Sequence, residues 1–128
     1  MGSEARVTLG TVRSFVTSNG YTFIFGSEPD VAIRDSKGAL ISTIEVKYGL
    51  DPAGALERYG AAKKSFEQAT KENRRVHNIY LVSCITPEVR NRIKEDRLVN
   101  DDFNLTDILG DAESRNNFLR HIEHLINI

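Results

Sequence analysis

Three residues in the first half of the chain have the types that phosphoryl chemistry needs: Asp30, Glu45 and Lys47. Two carboxylates brought together repel unless a cation lies between them. A hard divalent ion such as Mg2+ takes oxygen ligands, commonly one or two carboxylates completed by waters and substrate phosphate oxygens. An ammonium beside that ion can orient or deprotonate a water and neutralise charge building on a phosphate. Together these are the parts of metal-assisted phosphodiester hydrolysis.

The local sequence explains how such residues would meet. Pro29–Arg34 and Ala39–Lys47 read as two short strands joined at Asp35-Ser36-Lys37-Gly38, which suits a type I turn with Asp first and Gly fourth. If that turn closes the hairpin, Arg34 faces Ala39 and Asp30 faces Thr43. Side chains alternate along a strand, so one face carries Val31, Ile33, Leu40, Ile44 and Val46, and the other Asp30, Thr43, Glu45 and Lys47. Asp30 and Glu45 are then diagonal neighbours, close enough to share an ion after a small twist or bulge. Pro29 has no amide to donate and suits a position just before a strand.

Pro29-Asp30, fourteen intervening residues, then Glu45-Val46-Lys47 resembles the signature of the PD-(D/E)XK nuclease superfamily, which includes restriction endonucleases, junction resolvases and Mrr-type enzymes. The resemblance implies a restriction endonuclease-like α/β sandwich with core order αβββαβ. It further implies that Asp30 and Glu45 hold Mg2+ (or Mn2+ in its place) with the backbone carbonyl of Val46, while Lys47 positions the attacking water. The implied substrate is DNA. Glu4 corresponds to a glutamate that many members carry on a first helix, although a solvated terminal acid is the simpler reading.

At 128 residues the chain is expected to form a single domain, residues 1–128, with one core. Met1-Gly2-Ser3 has the look of a cloning remnant, so a piece of a larger enzyme is one expectation. Hydrophobic residues make up 40% and charged residues 27%, ordinary for a globular protein. No run approaches a membrane span and the N-terminus has no apolar signal segment. The single Cys84 has no internal disulfide partner, fits a reducing cytoplasm and excludes a cysteine-based zinc site. A net charge of -1 and a pI near 6.3 argue against strong indiscriminate DNA binding, but not against a local basic groove.

In chain order, residues from about Glu4 to Ser18 read as a first helix with Val7, Val12, Phe15 and Val16 as its apolar residues, weakened by Gly10 and the Thr/Val content. Tyr21–Phe25 reads as the first strand, and Glu28, in the turn after it, is a further candidate ligand. Asp51-Pro52 is a helix start, and Ala55, Tyr59, Ala62, Phe66 and Ala69 form one apolar stripe on a helix to about Lys71. Arg58, Lys63 and Lys64 lie off that stripe and, with Lys71, Arg74 and Arg75, are candidates for phosphate contacts. A solvated face paired with Glu57, Glu67 and Glu72 is the competing reading. Val76–Ile85 is nearly continuous apolar, as in a strand buried on both faces and parallel to the Glu45–Lys47 strand. Thr86-Pro87 opens a short helix over Val89–Arg97, Asn100–Thr106 reads as loop, and a helix over Asp111–Ile126 buries Phe118, Leu119, Ile122, Leu125 and Ile126.

His121 and His124, one turn apart, have a metal-compatible spacing, but no third ligand is placed with them and they are read as solvated. His77 is assigned no role. The expected function is a Mg2+-dependent DNA endonuclease. The alternatives are a Holliday junction resolvase-type nuclease and a non-catalytic nucleic-acid- or protein-binding module on the same fold. Since 128 residues leave little beyond the core to read a groove, target recognition is expected from a homodimer or from further domains or subunits.

Overall fold

A computed structural model describes residues 3–5 and 13–128, with side chains from residue 13 onward. Among the described residues seven strands form one mixed sheet in sequence order: β1 (Ser3–Ala5), β2 (Ser14–Thr17), β3 (Thr22–Phe25), β4 (Val31–Arg34), β5 (Leu40–Lys47), β6 (His77–Val82) and β7 (Asp101–Asn104). Strands β1 to β5 pair antiparallel, and β5, β6 and β7 pair parallel. Four helices complete the chain: α1 (Ala55–Glu72), α2 (Pro87–Asp96), α3 (Leu105–Gly110) and α4 (Ala112–Leu125). The protein is therefore an α/β fold with helices on both faces of a sheet. None of the described helices is long and apolar enough to cross a membrane.

The alternation of β6 separates two cores. Tyr80 and Val82 face α1 and α2, where they meet Tyr59, Ala62, Phe66, Val89 and Ile93. Ile79 and Leu81 face the other way, against Leu105 and Ile108 of α3 and Ile122 and Ile126 of α4. The stripe Ala55, Tyr59, Ala62, Phe66 and Ala69 is buried throughout, and its small residues let α1 lie close to the sheet. The chain enters α1 through a short 3-10 turn capped by Asp51, whose carboxylate accepts the Ala53 N–H. Thr86 caps α2 by accepting the Val89 N–H, and Asp111 caps α4 by accepting the Ser114 N–H.

Several expectations are corrected. In place of a first helix over residues 4–18 there are two strands, β1 containing Glu4 and β2 containing Phe15 and Val16; Val7, Gly10 and Val12 lie outside the described residues. The run Ser14-Phe-Val-Thr holds an aromatic and two β-branched residues, which favour a strand, and Phe15 stacks on Phe23 of β3 at 4.6 Å, so pairing with β3 overrides the weak helical spacing. The stretch expected as loop contains β7 and, from Leu105, α3. Leu119 is exposed, whereas Ile122 and Ile126 are buried.

The hairpin register also differs. The Gly38 N–H donates to Asp35 O at 3.0 Å, which makes the expected turn, but the Asp35 N–H then donates to Ala39 O at 2.9 Å. Gly38, at φ +86°, supplies the left-handed residue of a three-residue loop. Arg34 consequently pairs with Leu40 rather than Ala39, and a bulge between Ile33 and Arg34 shifts the pairing again, to Ile33 with Ser42 and Val31 with Ile44. Leu40 is thereby turned onto the α1 face, beside Ala32 and Ala69. Ile41 takes its place against the α4 side.

Candidate active site

The register shift decides how Asp30 and Glu45 meet. Val31 pairs with Ile44, so Asp30, one residue earlier, stands across from Glu45 itself and not from Thr43. Asp30 is held where the chain turns into β4: its carbonyl accepts the Gly26 N–H at 3.0 Å, and its side-chain Oδ2 accepts the Val46 N–H at 2.7 Å. Glu45 lies on the face of β5 covered by α1 and is only 1% exposed. Lys47, two residues on and on the same face, places Nζ 3.7 Å from Glu45 Oε2 and remains partly open to solvent. Asp30, Glu45 and Lys47 are thus brought together at one end of the sheet.

Val46 presents its backbone to the same place. Lys47 O accepts the Ser83 N–H on the β6 side. Successive peptide groups of a strand point to opposite sides, so the Val46 carbonyl is directed toward β4 and Asp30.

The electrostatics are those of a site short of positive charge. Burial pushes the Glu45 carboxyl above its ordinary range; the Ser65 hydroxyl on α1 opposes this, Asp30 raises it further, and Lys47 draws it down. Glu45 Oε1 is buried and, among the described residues, has no hydrogen-bond partner. A buried acceptor left bare costs free energy, and a cation between the two carboxylates would remove both that cost and their repulsion. With two carboxylates and a carbonyl, the donor set is all oxygen, which suits Mg2+ or Mn2+ better than a softer ion.

Three neighbours were not anticipated. Ser65 belongs to the helix stripe by position yet faces Glu45. Tyr80 pairs with Glu45 in register, its hydroxyl unpartnered among the described residues and its pKa pushed up to about 12, chiefly by burial. Ser83, next to Lys47 across the β5–β6 pairing, also buries an unpartnered hydroxyl. The only signal in the sequence was a polar residue inside an apolar stretch.

The basic candidates separate. Arg58 folds back over the loop after Lys47, donating to Asp51 O at 2.5 Å and lying close over Gly49 and Gly54. Its charge also reaches Tyr80, so it borders the site. Lys63 turns toward α2 and pairs with Asp96 at 3.3 Å. Lys64 is exposed. Lys71, Arg74 and Arg75 lie at the far end of α1 and just beyond it, away from Glu45, and Glu28 is exposed in the turn before Pro29.

The reading of the histidines as solvated holds for His124 and is corrected for His121. His124 is exposed and does not join His121. His121 instead meets His77 and Asp101, a carboxylate brought in by the unanticipated β7.

No protein-family model matches the chain, and no curated protein matches it.

Proposed function

We propose that the protein is a Mg2+-dependent DNA endonuclease of the PD-(D/E)XK kind, on a restriction endonuclease-like sandwich. The observation that carries this reading is the convergence of Asp30 and Lys47 on the buried Glu45, whose other carboxylate oxygen lacks a partner among the described residues. The mixed sheet with helices on both faces agrees with it. Asp30, Glu45 and the Val46 carbonyl hold Mg2+, with Mn2+ as a substitute. When bound, the metal supplies Lewis-acid stabilisation of the phosphate and lowers the pKa of a water. Lys47 orients the attacking water and donates toward charge that develops on the phosphate oxygens. Arg58, at the rim, and Lys64, on the exposed face of α1, contact the DNA backbone. Lys63 would do so only by leaving Asp96. The lone Cys84 suits action in a reducing cytoplasm.

The test is incubation of the purified chain with circular, linear and four-way-junction DNA in Mg2+ or Mn2+. Nicking or linearisation is expected, and Lys47→Ala should lower the rate at least about 100-fold, the scale of a positioned acid-base group, with circular dichroism unchanged. Failure to cut any form would overturn the reading and leave a binding module on the same fold. Cleavage confined to junctions would select a resolvase.

A further inference from the structure

A second cluster lies at the other end of the sheet. His77 opens β6, Asp101 opens β7, and His121 sits on α4. His77 Nε2 is 2.5 Å from Asp101 Oδ2, His121 Nε2 is 3.1 Å from the same oxygen, and the two Nε2 atoms are 3.2 Å apart. Parallel pairing places His77 beside Ser42, three residues back along β5 from Glu45. That is about 10 Å along the strand. His77 shares its face with Ile79 and Leu81, toward α4, whereas Glu45 points toward α1. The cluster is therefore separate from the carboxylate site in both position and face.

Hydrogen bonding alone satisfies this triangle poorly. Asp101 Oδ2 only accepts, so each imidazole facing it should present an N–H. Both N–H groups then converge on that one oxygen, and the 3.2 Å contact between the two nitrogens, donor against donor, is no hydrogen bond. If one imidazole instead accepts from the other, its contact with the carboxylate sets lone pair against lone pair. A cation at the centre lets all three atoms use lone pairs at once. Zinc binds imidazole nitrogen at about 2.0–2.1 Å and carboxylate oxygen at about 2.0–2.2 Å, so its ligand atoms lie about 3.3 Å apart in a tetrahedron. Two of the three separations are already near that value, and the third needs a shift well under the length of a bond.

We propose that His77, Asp101 and His121 bind a borderline divalent transition ion, of which Zn2+ is the representative. Two imidazoles and one carboxylate favour such an ion over Mg2+ or Ca2+. The side chains are 26%, 39% and 27% exposed, which leaves the fourth position to water. Phe103 of β7 packs its ring 5.4 Å from the His121 imidazole and 5.1 Å from Phe118, giving His121 an apolar wall. The ligands come from three elements, so the ion clips α4 onto the parallel end of the sheet. The site stands whether or not the chain cuts DNA.

The experiment is calorimetric titration of the full chain with ZnCl2, paired with thermal unfolding. One equivalent should bind and raise the melting temperature, and Mg2+ in large excess should not displace it. His77→Ala and His121→Ala should each weaken binding at least about tenfold and abolish the thermal shift. Asp30→Asn and His124→Ala should leave both unchanged. Should His77→Ala fail to fold, His121→Ala, on the outer helix, carries the same test. Absence of zinc uptake, or uptake that survives in His77→Ala/His121→Ala together, would overturn the proposal. So would uptake lost in Asp30→Asn, which would move the zinc to the carboxylate site.

Discussion

Glu45 is a carboxylate that the fold buries without fully satisfying. Its folded pKa lies above its ordinary value, chiefly because of burial. Between those two values the native state holds a proton that the unfolded chain has already released. Stability therefore falls as pH rises through that interval, and the penalty is complete above it. Glu45→Gln removes the ionisation. It should make the metal-free protein more stable than the parent near pH 7.5, by on the order of 1 kcal/mol, with the advantage shrinking toward about pH 4. Urea unfolding at the two pH values reads this directly, and a parent that gains stability steadily up to neutral pH would contradict it. That Asp30, Glu45 and Lys47 share one face was legible in the sequence from the alternation of the two strands. Their spacing was not, because two extra residues in the hairpin turn a diagonal relation into a direct one. The triangle of His77, Asp101 and His121 was harder still, since its members lie 24 and 44 residues apart and meet only through the sheet order.

At the scale of elements, the parallel β5–β6 pairing is tied together by Asn78. Its side chain accepts from the Thr43 hydroxyl at 2.6 Å and donates to Leu98 O at 2.9 Å and Thr70 Oγ1 at 3.2 Å, while its backbone N–H donates to Asn100 Oδ1 at 2.7 Å. One buried amide thus fixes β5, α1 and the segment entering β7. Asn78→Ala should cost about 2–4 kcal/mol, since it leaves the buried Thr43 hydroxyl and the Leu98 carbonyl bare. Denaturant unfolding measures the loss, and a change below about 0.5 kcal/mol, the size of an ordinary surface substitution, would show the network to be incidental. Elements with their own local signal, such as the hairpin, α1 with its Asp51-Pro52 start and the apolar β6, could be read from sequence. β7 could not: Asp-Asp-Phe-Asn has little strand preference, and its strand is made by pairing with β6 and by the Arg90 bridge to Asp102 at 2.5 Å. β2 was misread because Phe15 and Val16 fit both periods until Phe23 supplied a stacking partner.

For the whole molecule, charge limits how the proposed endonuclease could hold DNA. With 17 basic and 18 acidic side chains, the protein has no net attraction for a polyanion, and several cations are already engaged, Arg34 with Glu72, Lys63 with Asp96 and Arg90 with Asp102. Near the carboxylate site the cations are Lys47 and Arg58, with Lys64 on the exposed face of α1. Each neutralised phosphate releases counterions, so the logarithm of the binding constant falls with the logarithm of salt concentration at a slope of about -0.9 per contact. Three contacts from one chain give a slope of about -3, and a two-fold dimer bridging one duplex about -5 to -6. Fluorescence anisotropy with a labelled duplex, Ca2+ replacing Mg2+ to prevent cleavage, separates these cases. The shallow slope is expected at dilute protein, and Lys64→Glu should weaken binding about equally for all sequences while flattening the slope by about 1. A slope steeper than about -6 would mean that residues beyond these three carry the contact, and would shift the proposed DNA-binding face away from the rim of α1.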